Sequence, residues 1–222
     1  MGGAGGRAGA GLGILAPMMS DWSEGRGLVL IVSGPSGAGK TTIARALERA
    51  CPDGFFSVSL TTRQPGPGDR DGVDYRFVTE EEFAERAAPA PGKPMGEFLE
   101  HAGVYGRRYG TLRGPVEEAL AAGRLVILEI DVQGAKQVKA AIPGAAGLFV
   151  LPPSDESLLA RLRARRRDTE EAIQRRFTAA QREIAEARTC GVFDRFIVND
   201  ELDRAVGEAI GVVQGLRAPR PG

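Results

Sequence analysis

Hydrophobic residues in this chain are concentrated in four short runs, separated by stretches with helical period. The runs cover residues 28–32, 125–130, 148–151 and 196–198. Uninterrupted runs of this length, rich in leucine and β-branched residues, are typical of strands buried on both faces of a sheet. Strands that alternate with amphipathic helices predict an α/β fold with a mostly parallel sheet flanked by helices.

A phosphate-binding pattern directly follows the first predicted strand. Eight residues satisfy G-x-x-x-x-G-K-[ST] in full, and they are Gly34, Pro35, Ser36, Gly37, Ala38, Gly39, Lys40 and Thr41. The apolar residues within 41–50 lie at helical spacing, so the pattern opens a predicted helix. Backbone N–H groups of such a loop converge on phosphate oxygens, and the helix N-terminus adds positive potential. We therefore predict a P-loop NTPase-type fold, with Lys40 reaching a transferring phosphoryl group and Thr41 coordinating Mg²⁺.

Two segments depart from the alternation of strands and helices. Residues 55–111 contain a short alternating pattern, many turn residues and the aromatic Tyr75 and Phe77, so we predict an inserted lobe with short strands. Within it, the prolines of residues 87–94 predict a surface loop. Residues 158–188 form a polar, arginine-rich stretch of helical period, which predicts a helical lid over about residues 154–188. A solvated helix face is the alternative.

The two ends of the chain have the composition of segments without fixed structure. Residues 1–27 are rich in glycine and alanine and carry few charges, so we expect a disordered extension and a start of translation at Met18 or Met19. Residues 219–222 are expected to be a flexible tail. The length of 222 residues then favours one domain over residues 28–218.

Composition narrows the classes of protein. The chain is 42% hydrophobic with no apolar run long enough to span a bilayer, which argues against a membrane protein. Lys plus Arg equals Asp plus Glu at 29 each, so no global field attracts nucleic acid, and any anion site is local. Cys51 and Cys190 have no companion at metal-ligand spacing, which favours free thiols in the cytoplasm. The single histidine, His101, excludes a His-rich metal centre.

The P-loop alone does not identify the acceptor of a phosphoryl group. GTPases carry a further N-K-x-D motif, and the segment Asn199-Asp200-Glu201-Leu202 has its asparagine without the lysine. Asp131 follows the predicted strand 125–130, where a Walker-B-like acidic residue would lie close to the metal or to Lys40. We expect a functional role for Asp131.

Beyond the P-loop, a series of motifs resembles the guanylate kinase family in order and spacing. The motifs are Ser59-Leu60-Thr61-Thr62-Arg63-Gln64-Pro65, Gly68-Asp69, Gly72, Asp74-Tyr75-Arg76-Phe77, Glu97-Phe98-Leu99-Glu100-His101-Ala102, Tyr109-Gly110-Thr111, Leu128-Glu129-Ile130-Asp131-Val132-Gln133-Gly134, Leu151-Pro152-Pro153-Ser154, Arg165, Arg176 and Ile197-Val198-Asn199-Asp200. The resemblance extends over about residues 28–216. It implies a P-loop kinase with an inserted GMP-binding lobe and a helical lid, and ATP, GMP and Mg²⁺ as its ligands.

The resemblance also implies roles for individual residues. Glu100 would accept the adjacent N1–H and N2–H₂ donors of guanine, a pair that adenine lacks. Ser59 and Thr111 would donate to guanine O6, and the GMP phosphate would be held by Arg63, Tyr75 and Tyr109. On the donor side, Arg165 and Arg176 would close over the ATP phosphates, while Asn199 would lie near adenine or cap a strand end. Eleven residues bring the two lid arginines to one face if their helix is continuous, but residues 166–168 could equally form a turn.

Two departures from the family pattern accompany the resemblance. Gly66 replaces the second phosphate-binding arginine, a loss for which Arg70 or Arg76 could compensate, and Glu129 stands where aspartate is common. The implied activity is transfer of the terminal phosphoryl group of ATP to GMP, by a monomer or small homo-oligomer without nucleic-acid or membrane partners. The alternatives are a non-catalytic module that binds phosphorylated peptides, against which the complete P-loop argues, and a kinase for another nucleoside monophosphate.

Overall fold

A computed structural model describes residues 27–104, 106–164 and 169–218. The predicted disorder of the N-terminal extension up to residue 26, the predicted tail 219–222 and the role of Arg165 concern residues outside these ranges. The elements in chain order are β1 (Leu28–Ser33), α1 (Lys40–Ala50), β2 (Gly54–Phe56), β3 (Leu60–Thr61), β4 (Arg76–Phe77), α2 (Glu80–Ala87), β5 (Phe98–Val104), β6 (Arg107–Leu112), α3 (Arg113–Ala121), β7 (Leu125–Glu129), α4 (Val132–Ala141), β8 (Ala146–Leu151), α5 (Asp155–Ala164), α6 (Glu170–Thr189), β9 (Arg195–Val198) and α7 (Leu202–Arg217).

The central sheet is parallel and has β1 in its middle. Its order is β2-β7-β1-β8-β9, and every neighbouring pair is parallel. Successive side chains of a strand point to opposite faces, so Leu30 and Val32 pack with α1 and α7, while Val29 and Ile31 pack with α3 and α4. The predicted α/β sheet flanked by helices is confirmed, and all four predicted strands belong to it.

The central sheet has a fifth strand within a segment that the sequence places in the lobe. Phe55 and Phe56 lie in β2, which pairs with β7 in the central sheet. Phe56 is buried in the core shared with α1, and Phe55 packs on the opposite face. The lobe therefore begins after residue 56, because these two aromatic side chains are needed to cover the edge of the main core.

The inserted lobe is a second, four-stranded sheet of order β4-β3-β6-β5. Strands β3 and β4 are parallel, while β6 is antiparallel to both β3 and β5. Its small core consists of Leu60 and Phe98 from the sheet and Phe83 from α2. The His101 ring packs edge-on against both phenylalanines. The proline-rich loop is exposed from residue 88 to 94, as predicted, but Ala87 still belongs to α2.

The arginine-rich stretch forms two helices instead of one. Helix α5 ends at Ala164, and α6 begins at Glu170 after Thr169, whose hydroxyl accepts the Ala172 N–H at 3.3 Å. The alternative of one continuous helix through this stretch is therefore wrong, because the backbone of Thr169 is extended. The two helices bury a small cluster between them, made of Leu158, Leu162, Ile173 and Ala180. Within the described ranges, no helix combines the length and apolarity that crossing a membrane requires.

Candidate active site

The P-loop backbone leaves no room for side chains at its glycines. Gly34, Gly37 and Gly39 have φ of +148°, +93° and +94°, a region that other residues rarely adopt. A Cβ atom on Gly34 would lie 2.5 Å from the carbonyl oxygen of Val150, and one on Gly39 would lie 2.2 Å from Asn199 Nδ2. The predicted loop therefore adopts a conformation that depends on these glycines.

Helix α1 begins with its amide groups available to an anion. Gly39 is the N-cap and supplies no side-chain hydrogen bond, and the first turn contains no acidic residue. The first N–H groups of a helix have no intrahelical partners and carry partial positive charge. Lys40 and Thr41 follow at once, so an ammonium group and a hydroxyl border the same amides.

Asn199 supports the P-loop from the far end of the central sheet. Its side-chain Nδ2 donates to the Ala38 carbonyl at 2.7 Å, and Arg161 Nη2 donates to the Asn199 carbonyl at 2.8 Å. The Asn199 side chain is buried and borders a cavity of about 350 Å³ that Gly37, Thr42 and Leu202 also line. The interpretation of Asn199 as a residue near adenine stays a prediction, but its structural contact is with the loop.

A carboxylate to which the sequence assigns no role in the site contacts the P-loop threonine. Thr41 Oγ1 donates to Glu129 Oε1 at 2.5 Å, across 88 positions of sequence. Glu129 ends β7 beside Val32 of the adjacent strand β1, which brings it to the edge where the P-loop begins. Burial raises the pKa of the Tyr75 hydroxyl and the Glu129 charge raises it further, so Glu129 lies within electrostatic reach of both substrates' predicted sites.

Asp131 caps a helix in this structure, and its functional role near the metal or Lys40 stays a prediction. Its Oδ1 accepts the Gly134 N–H at 2.8 Å and so caps α4, and its charge contributes to raising the pKa of Glu100. The hydrogen bond with Thr41 is made by Glu129, the last residue of β7, which precedes Asp131 by two residues. In the sequence, Glu129 is marked by its position as the last residue of β7, the strand that pairs with the strand before the P-loop.

Helix α6 places a second unpredicted carboxylate within electrostatic reach of Lys40. Burial raises the pKa of Glu183, the charge of Lys40 opposes the rise, and Asp131 adds to it. Glu183 follows Arg176 by seven residues, a spacing that returns to the same helix face, and Arg176 is partly buried. The seven-residue spacing could have indicated from the sequence that Glu183 shares a helix face with Arg176. Arg176 and Glu183 thus lie on one side of α6.

The lobe contains a buried carboxyl group at the position predicted for the guanine reader. Glu100 on β5 lies opposite Thr111 on β6, whose Oγ1 donates to Glu100 Oε1 at 2.6 Å. Glu100 is only 3% exposed, and burial raises its pKa to about 7, with the Thr111 hydrogen bond opposing the rise and Asp131 adding to it. Ser59, immediately before β3, is also buried. A carboxyl group in this setting lacks the donors that would fully compensate its charge.

The three residues predicted to hold the acceptor phosphate lie together. The rings of Tyr75 and Tyr109 are 5.7 Å apart, and the Arg63 guanidinium lies 5.2 Å from the Tyr75 ring centroid. Arg63 Nη1 donates to Asp69 Oδ2 at 2.7 Å, which raises the arginine pKa. Arg70, the predicted substitute for the missing arginine, is exposed and pairs with Asp74. Its compensating role stays a prediction.

A complete P-loop at the edge of a parallel sheet, together with a second lobe and a two-helix cover, defines a P-loop α/β protein of the kinase type. The sequence model of the family described as guanylate kinase matches residues 26–214. The chain belongs to the guanylate kinase family.

Individual relatives agree with this assignment. The guanylate kinase of Anaeromyxobacter dehalogenans is 49% identical over 197 residues, which cover 88% of this chain and 84% of that protein. The guanylate kinase of Thiobacillus denitrificans is 46% identical, with 86% of this chain and 87% of that protein covered. The crystal structure of guanylate kinase from Anaplasma phagocytophilum superposes with a TM-score of 0.71 at 28% identity, covering 88% of this chain and 89% of that one.

Proposed function

We propose that this protein transfers the terminal phosphoryl group of ATP to GMP, with ADP and GDP as products. The observation that carries the proposal is the buried Glu100 carboxyl group in a lobe attached to a complete P-loop. Guanine presents N1–H and N2–H₂ side by side, and a carboxylate accepts both. Adenine has an acceptor at N1 and no 2-amino group, so it would leave the buried Glu100 with Thr111 as a partner but without the two donors of the base.

On the donor side, the amides of residues 34–41 hold the ATP phosphates and Lys40 contacts the outermost one. Mg²⁺ prefers oxygen ligands, and the Thr41 hydroxyl with the adjacent Glu129 carboxylate offers them. We assign Thr41 as the direct ligand and Glu129 as the residue that orients it. When bound, the ion neutralises charge that develops on the phosphates.

On the acceptor side, Glu100, Ser59 and Thr111 bind guanine, while Arg63, Tyr75 and Tyr109 bind the phosphate. An oxygen of the GMP phosphate attacks the γ-phosphorus of ATP, the new P–O bond forms, and the bond to the β–γ bridging oxygen breaks. Phosphate monoesters are largely dianionic at neutral pH, since their second pKa is about 6. No protein base is required, and the arginines Arg165 and Arg176 stabilise the transferred charge.

The helical pair α5 and α6 acts as a lid in the same proposal. The lid would exclude water during transfer, which prevents hydrolysis of ATP. We assign residues 28–218 to one enzyme domain that includes this lid, and we expect a cytoplasmic protein.

The test is an ADP-release assay with ATP, Mg²⁺ and each of GMP, AMP, CMP and UMP. We expect turnover with GMP, and Glu100→Ala should lower kcat/KM for GMP by roughly ten- to a hundredfold, the loss of hydrogen bonds to a charged group. Thr41→Val should raise the Mg²⁺ concentration required without changing the preference for GMP. Turnover of AMP in preference to GMP would refute the assignment, and GMP binding without turnover would favour the peptide-binding module.

A further inference from the structure

The first turns of α4 pack directly against the strand that carries Glu100. A Cβ atom built on Gly134 would lie 2.5 Å from Glu100 Oε2 and 3.1 Å from its Cδ. Real Cβ atoms almost never approach another heavy atom so closely, so any side chain at this position would displace the carboxyl group. Gly134 thus forms the surface on which one oxygen of Glu100 lies.

The backbone of Gly134 does not itself require glycine. It lies inside α4 and does not have a positive φ, so an alanine could adopt the same conformation. In a helix interior, alanine is ordinarily the more favourable residue. The space taken by Glu100 therefore explains the missing side chain.

One turn later, Gln137 fixes the distance between α4 and β5. Its Nε2 donates to the His101 carbonyl at 3.0 Å, and its Oε1 accepts the His101 N–H at 3.1 Å. Strand β5 is an edge of the lobe sheet, where backbone groups lack a neighbouring strand. The Gln137 amide takes the place of that strand at the residue adjacent to Glu100. Positions three apart share a helix face, so Gly134 and Gln137 act on β5 together.

We propose that Gly134 and Gln137 are specificity-determining positions that fix the Glu100 carboxyl group in the orientation required for guanine. Thr111 holds Oε1, Gly134 limits Oε2, and Gln137 sets the height of the whole strand above α4. A carboxyl group held from both sides presents its remaining lone pairs in one direction. The inference rests on the proposed function, because it deepens the role given there to Glu100.

The first experiment compares Gly134→Ala with Gly211→Ala in the full chain. Gly211 lies in α7, and a Cβ atom added to it would meet nothing within 4 Å, so it controls for the general effect of alanine in a helix. For Gly134→Ala we expect kcat/KM for GMP to fall at least about tenfold, since displacements near 1 Å at a reacting site have effects up to about a hundredfold. The KM for ATP should not rise, and neither kcat/KM for AMP nor the Tm should fall. Gly211→Ala should leave all four unchanged.

A second variant separates steric displacement of the carboxyl group from general damage. Aspartate is one methylene shorter than glutamate, so Glu100→Asp should make room for the methyl group of Gly134→Ala. We expect the double variant to lose less GMP preference than the product of the two single losses. Gln137→Ala should lower kcat/KM for GMP in the same direction, without a change in the KM for ATP.

The outcomes distinguish the inference from the function on which it rests. Wild-type GMP kinetics in Gly134→Ala would overturn the inference, and so would an equal loss toward GMP and AMP with a lowered Tm, or losses that multiply in the double variant. If the wild-type protein binds GMP without phosphorylating it, the proposed function fails, and the Kd for GMP of the same variants still decides the inference. If the wild-type protein does not bind GMP, both are wrong.

Discussion

Acidification should weaken recognition of GMP through Glu100 itself. Burial raises the pKa of this carboxyl group to about 7, whereas reading N1–H and N2–H₂ requires the ionised form. At a pH one unit above this pKa about nine-tenths of the group is ionised, and one unit below it about one-tenth is, so kcat/KM for GMP should fall about tenfold between pH 8 and pH 6. That ratio corresponds to about 1.4 kcal/mol.

The assay must separate this titration from that of the GMP phosphate, whose second pKa is about 6. We would measure kcat/KM for GMP at saturating MgATP across this pH range for the wild-type protein and for Glu100→Gln. The phosphate titrates equally in both, so the ratio of the two values at each pH isolates the carboxyl group. The ratio should rise about tenfold from pH 6 to pH 8. A ratio that does not change with pH would refute the reasoning, since it would mean that Glu100 does not titrate between pH 6 and pH 8.

Two further predictions concern stability. The pKa of Glu100 is higher in the folded than in the unfolded state, so its bound proton stabilises the fold fully below about pH 4, and this contribution is lost as the pH rises through 7. The difference in unfolding free energy between Glu100→Gln and the wild type should therefore shift in favour of the variant by up to about 3 kcal/mol from pH 4 to pH 8. Urea unfolding without nucleotide measures this difference. An equal difference at both pH values would contradict this. Arg217, whose side chain is 5% exposed, donates to Asp53 at 2.7 and 3.1 Å, so Arg217→Ala should cost roughly 2–4 kcal/mol of unfolding free energy. The exposed pair of Arg204 and Asp200 is the control, and Arg204→Ala should cost much less, because solvent screens that pair. Similar losses in the two variants would show that burial does not determine how much the Arg217–Asp53 pair contributes to the unfolding free energy.

The P-loop and the four main strands could be predicted from sequence because their signals are local. A glycine pattern between a hydrophobic run and a helical period is contained in about twenty-five residues, and no distant part of the chain is needed to recognise it. The guanylate kinase resemblance added the lobe, where Glu100 and Thr111 do face each other and Arg63 does lie beside the two tyrosines.

Features that depend on tertiary neighbours were missed or misplaced. Phe55 and Phe56 read as part of an irregular segment because their partner strand β7 lies about seventy residues later. Glu129 was given no role because only the pairing of β7 with β1 reveals that its carboxylate faces Thr41. Gly134 belongs to a family motif, but its role could not be predicted, since the reason for its missing side chain is the Glu100 carboxyl group on the inserted lobe.

The support of Ala38 by Asn199 joins residues 161 positions apart. The ribosome adds Asn199, whose side-chain amide holds the P-loop in shape, 161 residues after Ala38. During translation the signature motif is therefore present long before it has its final geometry. The proposed ATP site therefore reaches its final geometry only after β9 has been added, and a chain truncated before residue 199 would keep the motif while losing that support.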